Sequence, residues 1–205
     1  VQYPGRQDRR HEPFVPDIPG LAERVAELVP AGTGVPLALF GHSMGATVAF
    51  EVASRLEAAG SAVAVLFVSG RRAPSRQRAE TGYGYTDDGI LRELRELSGT
   101  QAQLLGDDDV VRMILPALRN DYRALANYLY AARSPLDCPI QAFIGDADPR
   151  VDLDEVEAWA EHTSSTFAMR AFPGGHFFLN EHLASVIDIV STWLVRRASG
   201  ASLRL

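Results

Sequence analysis

An α/β fold is what the sequence predicts: a parallel sheet with helices on both faces and a helical insertion. Three observations carry that prediction. Runs of consecutive apolar residues occur at 37–40 and 62–68, and a mostly apolar stretch follows at 140–144. A strand apolar at successive positions is buried on both faces, which is the condition of a parallel sheet. Segments with apolar residues at three- and four-residue spacing separate these runs, so strand and helix alternate. Between Arg71 and Pro135 the alternation stops and only helical patterns occur. The expected division is a core of residues 1–70 and 136–205 and a helical lid of 71–135.

Taken in order, residues 1–3 read as the tail of a strand that Pro4-Gly5 ends. A helix begins at Asp17, a good N-cap, with Pro19 in its first turn. Leu21, Val25 and Leu28 space its apolar stripe, and Pro30 stops it. The strand 37–40 runs into a helix over 46–59, packed through Val48, Ala49, Val52, Ala53 and Leu56 and ended by Gly60. The strand 62–68 ends at Ser69-Gly70. Residues 82–89 read as a loop, and helical patterns cover 88–97, 108–114 and 116–131. Pro116 is expected to separate the last two, because it lacks an N–H and crowds the preceding turn. After the strand 140–144, Asp152 and Glu155 form a capping-box pattern for a helix whose apolar face holds Val156 and Trp159. Residues 166–172 alternate Phe167, Met169 and Ala171, as in a strand with one more exposed face. The last helix spans 180–196, with Leu183, Val186, Ile187, Val190 and Leu194 apolar.

A chain of 205 residues is large enough for one domain with a substantial core. Its net charge of −6 argues against nucleic acid, and no apolar stretch has the length of a membrane span. The start shows no signal-peptide character. A single cysteine, Cys138, allows no internal disulfide and fits a cytoplasmic location; it reads as a small apolar filler.

The chemistry is concentrated in Phe40-Gly41-His42-Ser43-Met44-Gly45. A Gly-x-Ser-x-Gly sequence between a strand and a helix is the context of a nucleophile elbow. Gly41 and Gly45 keep side chains out of the turn, and the Met44 backbone N–H falls at a helix N-terminus, where an oxyanion is stabilised. A serine hydroxyl needs a base, and the base needs an acid to hold its tautomer. His176, in Gly174-Gly175-His176, is the candidate base. Asp148 or Asp146 could be the acid; Gly145-x-x-Asp148 puts Asp148 just beyond a strand, and its bland alternative is a turn residue before Pro149. His42 is expected to point away from the site as packing. His11, His162 and His182 sit in polar contexts and read as solvated. The order Ser, Asp, His is that of α/β-hydrolases.

With these residues assembled, the chain resembles the type II thioesterases of modular polyketide and nonribosomal peptide synthetases. The matching stretches are Tyr3-Pro4-Gly5-Arg6, Phe40 to Ala46, Phe50-Glu51, Ser69-Gly70-Arg71-Arg72-Ala73-Pro74, Leu115-Pro116-Ala117-Leu118-Arg119-Asn120-Asp121-Tyr122, Gly145-Asp146-Ala147-Asp148-Pro149 and Gly174-Gly175-His176-Phe177-Phe178. The resemblance implies an α/β-hydrolase-like enzyme that removes aberrant acyl groups from carrier proteins. Ser43 would be nucleophile, His176 base and Asp148 acid. It implies no bound cofactor, since the phosphopantetheine arrives on the carrier. It also implies first strands and a His-Ala-Gly-Gly-like loop upstream of Val1, the source of a second oxyanion N–H.

The implied partners are acyl or peptidyl carrier domains, met by a monomer. Arg71, Arg72, Arg76 and Arg78, crowded after a strand end, are candidate contacts for an acidic carrier and its phosphate; Arg6, Arg9 and Arg10 could lie on the same side. The alternative is a solvated or internally paired charge run. Two other functions fit the same residues: a general acyl-CoA hydrolase or carboxylesterase, and a silent hydrolase-fold module that only binds carriers.

Overall fold

A computed structural model describes residues 1–30, 36–78, 86–98 and 107–199. Parts of the expected lid and of the loop at 82–89 fall outside these residues.

The first helix, α1, spans Ile18–Glu27, and the Asp17 carboxylate accepts the Gly20 N–H at 2.7 Å. Strand β1 (Leu37–His42) leads into α2 (Met44–Ala58), and β2 (Val63–Ser69) follows. Helices α3 (Asp87–Ser98) and α4 (Asp108–Ala126) form the insertion. Then come β3 (Ile140–Gly145), the short α5 (Leu153–Glu157) with a 3-10 turn after it, β4 (Phe167–Phe172) and α6 (Leu179–Ala198). The four strands are all parallel, in the order β1-β2-β3-β4.

Strand β2 shows why its sequence is apolar throughout. Side chains alternate across a strand, so Leu66 and Val68 enter one layer while Val65 and Phe67 enter the other. The first layer packs β2 and β3 against α1, α2 and Trp159. The second stacks Phe67, Phe143 and Phe172 under Val186 and Trp193 of α6. Truncating a core aromatic such as Phe67 to Ala would cost about 3–5 kcal/mol.

Several sequence expectations are corrected. Residues 1–3 form no strand; Tyr3 instead packs against the first layer. Leu28 caps the end of α1 and is 67% exposed. Strand β1 is apolar yet only partly buried, with Phe40 44% exposed, because it lies at an edge of the described sheet. Pro116 does not divide α4, which runs unbroken to Ala126 and leaves 127–131 non-helical. Its missing hydrogen bond is outweighed by anchors at both ends. Asp107 caps the N-terminus, and Arg119, Asn120 and Asp121 fasten the other half to Asp87, the Val15 carbonyl and Arg6. On α6 the buried stripe is Val186 and Trp193, while Leu183 and Ile187 are more than half exposed. The face that meets the sheet holds Leu179, Val186, Ile189, Val190 and Trp193, with a non-helical turn at His182.

Candidate active site

Three strand ends converge on one point. Ser43 stands between β1 and α2 with φ 52° and ψ −121°, a strained conformation for a residue with a Cβ. The turn is tight enough that a Cβ on Gly41 would lie 2.1 Å from the Gly45 carbonyl oxygen. Gly45 itself has open space where its Cβ would be, so the expectation that it too relieves crowding is corrected. Ser43 N–H donates to the Ser69 carbonyl at 2.8 Å, which pins the elbow to the end of β2. Met44 begins α2, so its N–H is one of the donors that a helix leaves without an internal partner.

The other two side chains come from the ends of β3 and β4. A Cβ on Gly145 would meet the Gly175 carbonyl oxygen at 2.2 Å; only glycine lets the acid loop and the histidine loop touch. His176 Nδ1 then lies 2.8 Å from Asp148 Oδ2, and His176 Nε2 lies 3.0 Å from Ser43 Oγ. The carboxylate can only accept, so Nδ1 carries the proton and Nε2 is left to accept from the serine hydroxyl. His176 and Asp148 are both buried. Asp146 is exposed and accepts the Gly174 N–H at 2.9 Å, shaping the loop. A hydroxyl, an imidazole and a carboxylate joined in this order have the geometry that activating a serine hydroxyl requires.

His42 does not point away. Its ring centre is 5.0 Å from that of His176, and its Nδ1 bonds Ser69 Oγ at 2.9 Å. Burial, reinforced by His176, pushes its pKa down to about 4, so it is a neutral neighbour of the base. The reading of His162 as solvated is corrected as well. It is buried among Phe50, Trp159 and Tyr130, bonds Ser75 Oγ at 2.9 Å, and is pushed down to about 4 by burial. The direction of His42 and the burial of His162 both depend on distant segments; the only local hint for His42 is its place inside the elbow. His11 is exposed, and His182 bonds the Pro173 carbonyl. Cys138 is buried, and burial pushes its thiol up to about 12.

The four arginines after β2 are engaged within the protein. Arg71 donates to Thr47 Oγ1 at 3.2 Å, and Arg72 is buried with a bond to the Arg150 carbonyl. Arg76 pairs with Glu161, and Arg78 lies 3.4 Å from Glu155. All four still line a cleft of about 280 Å³, whose far wall is Leu125 and Leu129. The cleft also touches Thr47 of α2, one helical turn beyond Ser43 in sequence. Arg6 is elsewhere occupied, in a two-pronged pair with Asp121 of α4, and Arg9 pairs with Glu12.

A further buried carboxylate ties the end of the insertion to α2. Glu51 of α2 receives Arg133, the Tyr128 hydroxyl and Arg55. Burial opposes its charge, but these bonds hold its carboxyl below the ordinary value.

A family model described as a thioesterase domain matches residues 1–194. The chain is 47% identical over 186 residues to the "Probable cadicidin biosynthesis thioesterase" of Streptomyces griseus, covering 91% of this chain and 52% of that protein. It is 46% identical to "Thioesterase PikA5" of Streptomyces venezuelae, covering 95% of this chain and 70% of that one. Thus the chain spans about half the length of the first relative. Among solved structures, the type II thioesterase BorB from the borrelidin biosynthetic cluster superposes with a TM-score of 0.87 at 48% identity, covering 95% of this chain and 80% of that one.

Proposed function

The chain belongs to the thioesterase family, and on that premise we propose that it hydrolyses acyl thioesters on the phosphopantetheine arms of carrier proteins, clearing aberrant acyl groups from polyketide or nonribosomal peptide assembly. The observation that carries the proposal is the hydrogen-bonded line Ser43 Oγ, His176 Nε2, His176 Nδ1, Asp148 Oδ2. Solved relatives whose titles name NRPS/PKS pathways, those of colibactin and yersiniabactin, support the substrate class.

In the proposed reaction, Ser43 Oγ attacks the thioester carbonyl and His176 Nε2 takes its proton. The oxyanion forms beside the Met44 N–H. Collapse expels the thiol, which leaves with the proton from His176, and the acyl group remains on Ser43. Water attacks this ester, again deprotonated by His176, and the acid is released. Asp148 keeps the proton on Nδ1 and stabilises the imidazolium formed at each step. The chain's own groups supply these steps; phosphopantetheine enters as part of the substrate. The enzyme is read as a cytoplasmic monomer, and the insertion at 71–135 as a lid over the acyl group. The cleft beside Thr47, with cationic and apolar walls, supports entry of a phosphate-bearing arm.

Turnover of acyl-carrier protein, free acyl-CoA and an oxygen ester tests the reading. A preference of roughly tenfold or more in kcat/KM for the carrier is expected, since only the carrier offers protein contacts beyond the reacting bond. Equal turnover of all three would instead favour a general esterase. Ser43→Ala is expected to abolish labelling by a serine-directed phosphonate; labelling at the same rate would remove Ser43 as nucleophile.

A further inference from the structure

The acid of the relay is held by more than His176. While Asp148 Oδ2 meets His176, Oδ1 accepts the backbone N–H of Arg150 at 2.8 Å. The Arg150 side chain then leaves the loop for the insertion. It pairs with Glu93 of α3, a carboxylate whose side chain is only 8% exposed, and its guanidinium carbon lies 6.0 Å from the centre of the Tyr122 ring on α4. The Arg150 carbonyl accepts Arg78 Nη2 at 2.7 Å and Arg72 Nη1 at 3.4 Å, so the segment after β2 closes on the same residue. Arg150 therefore joins the acid loop to both insertion helices.

A carboxylate bonded at both oxygens has one orientation. If the Arg150 backbone shifts, Oδ1 loses its donor and the group can rotate away from Nδ1. Glu93 resists that shift, because separating it from Arg150 would strand a charge withdrawn from water. We propose that Arg150 is a positioning residue that makes the orientation of Asp148 depend on the seating of α3 and α4, so that the relay is in register only when the insertion is docked. The proposal rests on the reading of Ser43, His176 and Asp148 as the catalytic relay.

The test uses Glu93→Gln and Arg150→Met in the full chain. The methionine keeps an apolar stem over Tyr122. Arg55→Gln serves as the control: it weakens a partly buried pair, with Glu51, that lies within α2 and belongs to neither the insertion nor the acid loop. Two quantities are read: kcat and KM on a short acyl thioester, and the downfield proton resonance of the His176–Asp148 hydrogen bond. Both test variants are expected to lower kcat roughly 10- to 100-fold, the scale of a small misplacement of a catalytic group. They are expected to leave KM within about twofold and to shift or broaden the downfield proton. The double variant is expected to lie within about threefold of the worse single one, because the two residues act as a unit. Folded variants with wild-type kcat and an unmoved resonance would overturn the proposal. So would an equal loss in Arg55→Gln, which would mark a general effect of weakening the fold. If Asp148→Asn keeps full activity, the relay reading fails instead, and the resonance in Glu93→Gln still decides whether Arg150 sets the Asp148–His176 geometry.

Discussion

Asp148 Oδ2 stands 2.8 Å from His176 Nδ1, while Asp146, two residues earlier in the same loop, is turned to the Gly174 backbone. The two carboxylates are chemically alike, so their surroundings separate their roles. Asp148→Asn is expected to lower kcat by about 10³–10⁴, because the amide cannot hold the same tautomer. Asp146→Asn keeps an oxygen for the Gly174 N–H and is expected to cost about tenfold or less, a loop-positioning effect. Steady-state kinetics of the two variants decides; the reverse ranking would move the acid to Asp146.

The insertion is fastened to the core at defined places: Arg6 to Asp121, Asn120 to the Val15 carbonyl, and Tyr128 and Arg133 to Glu51. If it gates the acyl group, a cross-link between α4 and the core is expected to slow long acyl chains most and short ones least. Rates measured across a series of chain lengths test this. The same rate change at every length would make the insertion a fixed wall.

Arg76 and Arg78 are partly exposed on the cleft that reaches Thr47, although each already has a carboxylate partner. Charges at a rim act chiefly on association and are screened by salt. Arg76→Glu with Arg78→Glu is expected to raise KM for acyl-carrier protein about three- to tenfold at low salt. KM for a small neutral thioester is expected to stay unchanged. Equal effects on both substrates, or none, would remove this patch from carrier docking.

His42 and His162 are neutral in the folded protein, with pKa values held down to about 4. Burial is the leading cause for both. The neighbouring His176 adds to it for His42, while for His162 Glu161 opposes it. In the unfolded chain each takes up a proton near pH 6.5. Below that pH the unfolded state binds protons that the folded state refuses. The stabilisation is therefore complete above about pH 6.5 and is lost as the pH falls through about 4. The loss is expected to reach about 1–3 kcal/mol per histidine. Urea unfolding at pH 7, 5 and 4 measures it. His162→Phe, which keeps the ring among its aromatic neighbours, is expected to flatten the profile; an unchanged slope would show that carboxylates alone set it.

What the sequence determined by itself is what neighbouring residues decide. An apolar run, a glycine and a helical stripe act within a few residues, so the strands, the elbow at Ser43, the Asp17 cap and the Asp152–Glu155 box are legible in order along the chain. Even there, the local pattern overstated Gly45 and divided α4 at Pro116, because crowding and helix anchoring come from other segments. Tertiary structure alone decided the rest. The pairing of β3 with β4 brings the Gly145 and Gly175 backbones together, and the folded loops set Asp148, and not Asp146, beside His176. Packing of α2 against the turn after α5 buries His162, and the end of β2 turns His42 toward His176. The Arg150–Glu93 link joins residues 57 positions apart that no motif connects. The physical reason is the same in each case: burial and electrostatic partnership depend on which distant surfaces meet, and only the folded chain brings those surfaces together.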